Sequence, residues 1–430
     1  MKFKSELWNK CVHPCLLKGL LVISLGFVSI TSSAQSYSTL VFDKHQSQYA
    51  GANDLITLHH ALYSFQDRYI PDTLKRENTF LRKSVGFGYR AVRLWLLDAQ
   101  ADELIALVQH EAFGHGARFR EYGYIKNSFN LNLFFPFGNG SGFAHSGTQL
   151  PGYHFPTQLD NIVISIGGVD AQILLANTVV SQALLDDTLH YRQGLLYLLS
   201  QNNQFAYLAR TYERIGKKNS GNDMTAYVNG INFLYGLQGD QQYTIRKQLT
   251  ADLVSFINPF QLYAAYSILY TYGIKGQKQL NKIPMIRIGK VRYLPAVNYS
   301  FTPFGSQYHF MNYVRYRHML FSGDLMAGKT PVHSFYGFSA KGFNVIDVKA
   351  MTLNLHLDLW EQPELHLENS LKPTTHAIGG ALKADLLVRP VSLPNKAGLF
   401  IQAGYKTRGY LMGEALDRGF ILRGGIGMHL

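Results

Sequence analysis

The 430 residues carry a formal net charge of +13, yet only 16% of them are charged, against roughly 25% in ordinary soluble domains. No Lys/Arg block stands out, so the cationic excess reads as affinity for a lipopolysaccharide or other surface, not for nucleic acid. The chain is 47% hydrophobic and 13% aromatic, with 27 Tyr, 27 Phe and 39 Gly but 3 Trp.

Residues 1–34 have the three parts of a cleaved secretory leader. Lys2, Lys4, Lys10 and Lys18 make its basic end, Gly19 to Ile30 its apolar run, and Ser32-Ser33-Ala34 its small-residue cleavage site. The apolar run is too short for a membrane anchor. Removing four Lys and one Glu takes the charge from +13 to +10 (13 − 3). Both cysteines, Cys11 and Cys15, lie in the leader, so the exported chain is expected to hold neither disulfides nor thiolate ligands. Histidine and carboxylate chemistry remains, and an exported cysteine-free chain suits a bacterial periplasm or outer membrane. The remaining length allows two domains, read as 35–282 and 283–430.

Residues 35 to 80 give no clear domain signal. From about Ser84 to Gln100 apolar residues recur at helical spacing (Val85, Tyr89, Val92, Leu94, Leu96), and Asp102 opens a further helix. That helix leads into VQHEAFGHGARFREYG, Val108 to Gly123. Two imidazoles beside a carboxylate are the parts of a catalytic zinc site: the imidazoles bind the metal and the carboxylate activates its water. Histidines four residues apart lie about 40° apart around a regular helix, whereas five residues give about 140°. His110 and His115 are five apart, so a one-residue π-bulge at Gly114 is needed to bring both rings round. An ordinary polar helix face, with Glu-to-Arg pairs among Glu111, Arg118, Arg120 and Glu121, is the plainer reading.

HEAFGH resembles the HExxGH motif of the dipeptidyl peptidase III family of zinc peptidases, over these six residues. The resemblance implies a zincin-like helical domain with His110 and His115 as zinc ligands and Glu111 as general base. That family draws a further ligand from a paired-glutamate motif, and this chain has no Glu-Glu pair. The third ligand is therefore sought elsewhere. Asp170 is the first choice, as the one charge inside the apolar stretch from about Asn161 to Asp187, where a lone buried carboxylate must be paired or metal-bound. The competing roles for it are an N-cap or a partner for Arg118 or Arg120. Glu121, six residues after His115 as in metzincins, is the second choice. Gly167-Gly168 would let this helix approach another closely.

Between these helices, SFNLNLFFPFGNGSGFAHSG reads as a hairpin around Asn139-Gly140-Ser141-Gly142, with His145 and His154 as loop histidines. Further helices are expected at about 187–214, 222–238 and 246–273, the last broken at Pro259. GKKNSGND, 216–223, reads as a turn between helices. Near Lys282 the pattern becomes alternating. MTLNLHLDLW (351–360) sets Leu353, Leu355, Leu357 and Leu359 against Asn354, His356 and Asp358. Similar runs at 284–300, 306–320, 331–343, 376–390, 397–412 and the C-terminal GFILRGGIGMHL make about eight strands. These strands, with few charges and many tyrosines and glycines, resemble bacterial outer-membrane β-barrels. GDLMAGKT (323–330) matches GxxxxGK[ST], but Pro331 and an alternating run follow it instead of a helix, so it reads as a hairpin turn and not a nucleotide site.

The expected architecture is thus α+β: an N-terminal helical zincin-like domain, then a C-terminal antiparallel β-barrel of about eight strands. The expected function is a zinc-dependent hydrolase, most simply a peptidase acting on peptide or cell-envelope substrates. It would be anchored in the outer-membrane lipids of a Gram-negative bacterium. The alternative is a non-catalytic barrel protein whose helical domain binds or scaffolds.

Overall fold

The computed structural model describes residues 38–70, 79–153, 155–213, 222–365, 371–389 and 397–428; the predicted leader and His154 lie outside them. Strand β1 (Ser38–Phe42) leads to helix α1 (Gln48–Tyr69), which starts where the Ser47 hydroxyl accepts a hydrogen bond from the Ala50 amide. Both lie in the stretch whose sequence gave no signal. Helices α2 (Phe80–Arg93), α3 (Ala99–His110) and α4 (Gly116–Glu121) follow without loops between them. They are joined by two π-helical segments, Leu94–Asp98 and Glu111–His115.

Strands β2 (Tyr124–Ile125) and β5 (Thr148–Gln149) enclose the expected hairpin, β3 (Ser128–Leu131) against β4 (Gly142–His145). Helix α5 (Gln158–Asp186) opens with a capping box between Thr157 and Asp160 and ends at Asp187 in a left-handed conformation. It is long and apolar enough to cross a membrane, but 72% of its apolar window is buried inside the protein, as in a core helix. Strand β6 (Thr188–His190) and helices α6 (Tyr191–Glu213), α7 (Asp223–Tyr235) and α8 (Ile245–Asp252) follow. Pro259 does interrupt the predicted 246–273 helix. A 3-10 turn at Leu253–Ile257 intervenes, and α9 (Pro259–Tyr266) restarts with Asn258 as cap and proline in its first turn. It runs on into a third π segment, Ser267–Ile274, and strand β7 (Gln279–Asn281) then pairs back onto β6.

After β8 (Ile286–Ile288) come eight long strands: β9 (Val291–Thr302), β10 (Gly305–Tyr316), β11 (Met319–Lys329), β12 (Ser334–Val348), β13 (Met351–Leu365), β14 (Leu371–Val388), β15 (Ala397–Lys406) and β16 (Gly419–Met428). Each pairs antiparallel with the next, and β8 and β1 flank them to give the order β1-β16-β15-β14-β13-β12-β11-β10-β9-β8. The fold is α+β with a large antiparallel C-terminal sheet, and the N-terminal β1 completes its edge. GDLMAGKT corrects one expectation: all of it but Thr330 lies inside β11, not in a turn. Small residues suit that position, because the Phe335 ring covers Gly328 so closely that a methyl there would stand 2.1 Å from it. The turn comes next, where the Thr330 hydroxyl accepts from the His333 amide.

The alternation read in the sequence sets the two faces of the sheet. In register across four strands, Phe310, Leu325, Phe338 and Leu359 form an exposed apolar row. The opposite face carries Asp324, Ser339 and Asp358 in one row, and Asp385, Gln402 and Arg423 in another. That polar face looks inward: α5 residues such as Asn177 and Gln182 and strand residues such as His309, Lys341 and His356 line a cavity of about 260 Å³. A sheet that buries its charges and exposes its leucines inverts the polarity of a water-facing one.

Candidate metal centre

The irregular backbone between α3 and α4 makes the centre. The Gly116 amide donates to the Glu111 carbonyl, five residues back. This is the π-bulge that the His110–His115 spacing required, and the rings turn to the same side with their Nε2 atoms 3.3 Å apart. Close helix packing makes room for the bulge. At Gly114 a methyl would meet Gly168 Cα at 2.6 Å and the Gly167 carbonyl at 2.8 Å, so α5 touches the bulge backbone to backbone. At Gly168 a methyl would lie 2.3 Å from His110 Nε2. At Gly51 on α1 it would strike the Phe113 ring at 2.2 Å.

The third member is Asp223, the first residue of α7. Its Oδ2 lies 3.1 Å from His115 Nε2 and 3.5 Å from His110 Nε2. Among the described residues this is the group of histidines and carboxylates able to hold a metal ion. Its near-equilateral triangle fits a tetrahedron, since metal–ligand bonds of about 2.0–2.1 Å set neighbouring ligands about 3.3 Å apart. The other ring nitrogens are also fixed. His115 Nδ1 donates to the Ile164 carbonyl at 2.7 Å and His110 Nδ1 to Gln172 Oε1 at 3.0 Å, which leaves both Nε2 lone pairs facing the triangle. Gln172 is held in turn by donating to the Ala106 carbonyl and accepting from Asn203. The Tyr207 hydroxyl donates to Asp223 Oδ2 at 3.0 Å.

Charges within the site are strongly coupled. Burial opposes a charge on His115, but the Asp223 carboxylate, with Glu111 behind it, overrides this and raises the imidazole to about 9. Burial would also raise Asp223, yet His115 and His110 hold it far below the usual carboxylate range. Glu111 is buried beside the triangle. Strand β4 covers it, because Gly142 leaves room for a carboxylate oxygen that a methyl would meet at 2.4 Å.

The structure therefore brings together His110, His115 and Glu111, and leaves Asp170 and Glu121 elsewhere. Asp170 is fully buried but accepts a 2.6 Å hydrogen bond from the Tyr410 hydroxyl, and it faces the charge of Arg118. Its hydrogen-bond partner is Tyr410, and Arg118, which binds Glu121 and the Glu414 carbonyl, acts on it through charge alone. Burial pushes its carboxyl up to about 7 against the pull of Tyr410 and Arg118. Glu121 is bound by both oxygens to Arg118 Nη1, at 2.9 and 3.1 Å. Asp223 escapes a reading of the sequence because an aspartate just after an asparagine cap is the usual chemistry of a helix start. It also lies 108 residues from His115. His145 lies on β4 and is exposed. No protein-family model, no curated protein and no solved structure matches this chain.

Proposed function

We propose that this protein is a zinc-dependent hydrolase, most simply a peptidase, held in the outer membrane of a Gram-negative bacterium by its C-terminal strands. One observation carries the reading: three ligand atoms, from His110, His115 and Asp223, at 3.1–3.5 Å from one another with Glu111 alongside. Two imidazoles and one carboxylate are a ligand set that leaves a fourth position open on zinc. A zinc ion held there would supply Lewis acidity and bring the pKa of a bound water towards 7. The chain's own groups do the rest. Ile164 and Gln172 keep both histidines in the ligating tautomer, and Glu111 takes the proton of the attacking water and returns it to the leaving group. The apolar outer row and charged inner rows of the sheet support closure as a barrel in a bilayer, with cell-envelope peptides as the accessible substrates.

Elemental analysis of the purified exported protein is the test, and one zinc per chain is expected. His110→Ala and His115→Ala should each lose it. Glu111→Gln should keep it while hydrolysis falls by about 10²–10⁴-fold. Full activity in Glu111→Gln, or wild-type protein without stoichiometric metal, refutes the hydrolase. Recovery as a soluble periplasmic protein refutes the barrel.

A further inference from the structure

Helix α2 shares the inverted polarity of the sheet. It carries Arg82, Lys83, Arg90 and Arg93 and no acidic residue. Arg90 and Arg93 turn inward and are buried: Arg90 Nε donates to the Gly273 carbonyl, and Arg93 Nη1 to that of Ile70. The apolar side chains turn outward. Phe80 is 87% and Leu81 73% exposed, and Val85, Val92, Trp95 and Leu97 continue the face through the first π segment. A helix facing water would bury the second set and expose the first.

This face is continuous with two others. Trp95 packs on Phe135, their ring centroids 6.0 Å apart, and Gln100 Nε2 donates to the Phe135 carbonyl. That joins the helix to the β3–β4 hairpin, whose tip exposes Phe135 and Phe137 and whose strand β4 exposes Phe143. On the other side Phe87 reaches Gly273, in the π segment that exposes Leu269 and Ile274. Exposed Arg82 and Lys83 sit at the start of α2, and Lys275 lies over the Tyr270 ring at 4.7 Å. Aromatic residues with cations beside an apolar face are the composition of a membrane interface.

We infer that the helical layer is itself seated in lipid, through α2, the Leu94–Asp98 segment and the β3–β4 hairpin. Because β4 lies directly on Glu111, this puts the candidate metal centre at the membrane surface and not out in the aqueous space. The occupant is an anionic bilayer: two separate elements expose apolar side chains while burying charged ones, and the cations lie at the margin of the helical face. The inference rests on the proposed membrane-spanning sheet and extends it to the helices.

Trp95 is a built-in probe, since the other tryptophans are Trp8, in the leader, and Trp360. The full chain with Trp8→Phe and Trp360→Phe is reconstituted into vesicles of brominated phosphatidylcholine and phosphatidylglycerol, and its emission compared with that in unbrominated lipid. Two further chains add Trp95→Phe and carry either Phe143→Trp, beside the metal centre, or Leu357→Trp, on the outer face of β13. Loss of emission at all three positions is expected. Loss at position 357 with none at 95 and 143 overturns the inference and leaves the spanning sheet standing; no loss anywhere means the spanning sheet fails as well. Loss at 95 but not at 143 overturns the placement of the metal centre. If Trp360→Phe does not fold, the difference in quenching between the native chain and Trp95→Phe gives the same reading for Trp95.

Discussion

Gly168→Ala tests the metal centre at its tightest point. The added methyl would stand 2.3 Å from His110 Nε2 and 2.5 Å from Cδ2, where ordinary contact begins at 3.4 Å. The ring would have to retreat by about 1 Å, whereas metal–ligand bonds tolerate about 0.2 Å. It is also held from behind, since His110 Nδ1 donates to Gln172. Retreat therefore loses the ligand, and a fall in zinc affinity of at least about 100-fold is expected, the upper range for disturbing a ligand's support. Competition with a chromophoric chelator would measure it. Gly88→Ala, which meets nothing within 4 Å, is the control; it should leave affinity unchanged and add about 0.5–1 kcal/mol of stability as a helix-interior glycine replacement. In a His110→Ala background the clash disappears, so Gly168→Ala should destabilise less than it does alone. Wild-type zinc affinity in a folded Gly168→Ala protein would refute the geometry.

Asp223→Asn should weaken zinc binding, whereas Asp170→Asn should leave it intact and cost about 1.5–3 kcal/mol of stability through the weakened Tyr410 hydrogen bond. The opposite outcome in chelator competition and thermal melts would restore Asp170 as the ligand. His60 supplies a pH dependence. Its Nε2 accepts from the Gln193 amide and its Nδ1 donates to the Ser38 hydroxyl, and burial, then His59 and His190, hold it down to about 3. The folded state thus refuses a proton that the unfolded chain takes up near 6.5. Its contribution is full above that pH and is lost as pH falls, by about 2 kcal/mol between about pH 7.5 and about pH 5. Denaturant titrations of wild type and His60→Asn at both values should differ by that amount; equal losses would exclude His60 as the cause.

The parts of this structure legible in the sequence are those encoded by local periodicity. Leucine alternation in 351–360 gave both the strand and the orientation of His356 and Asp358, and Pro259 gave the break between α8 and α9. The five-residue histidine spacing pointed to the π-bulge on the metal reading, because a regular helix would aim the two rings apart. Pairings formed between distant segments left no such mark. Strand β1 is five residues long, and only its pairing with β16, nearly 400 residues on, makes it part of the sheet. Asp223 becomes a ligand candidate only when α7 docks, and Asp170 looks like one because a single buried carboxylate does not reveal its partner. Tyr410, which donates to its Oδ2, lies 240 residues away.

Asp170 keeps a role beside the His110–His115–Asp223 group although it lies outside it. Burying a carboxylate and Arg118 together is expensive, and an apolar pair of the same volume would often be as stable. What the pair can do that apolar residues cannot is fix an axial register. Asp170 lies three residues after Gly167, on nearly the same side of α5, and Gly167 and Gly168 must meet Gly114 backbone to backbone for the bulge to exist. Sliding α5 by one residue would put Val169 against His110 in one direction, or Ile166 against Gly114 in the other. Arg118, on the helix that continues from the bulge, donates to the Glu414 carbonyl, and Glu414 is itself bound to Arg423 of β16. Tyr410, in the same loop, closes the chain of contacts on Asp170. The polar face of the sheet thereby holds α4 and α5 at the one offset in which glycine faces glycine. The carboxylate that resembles a ligand in sequence therefore belongs to the frame that lets the His110–His115–Asp223 triangle form.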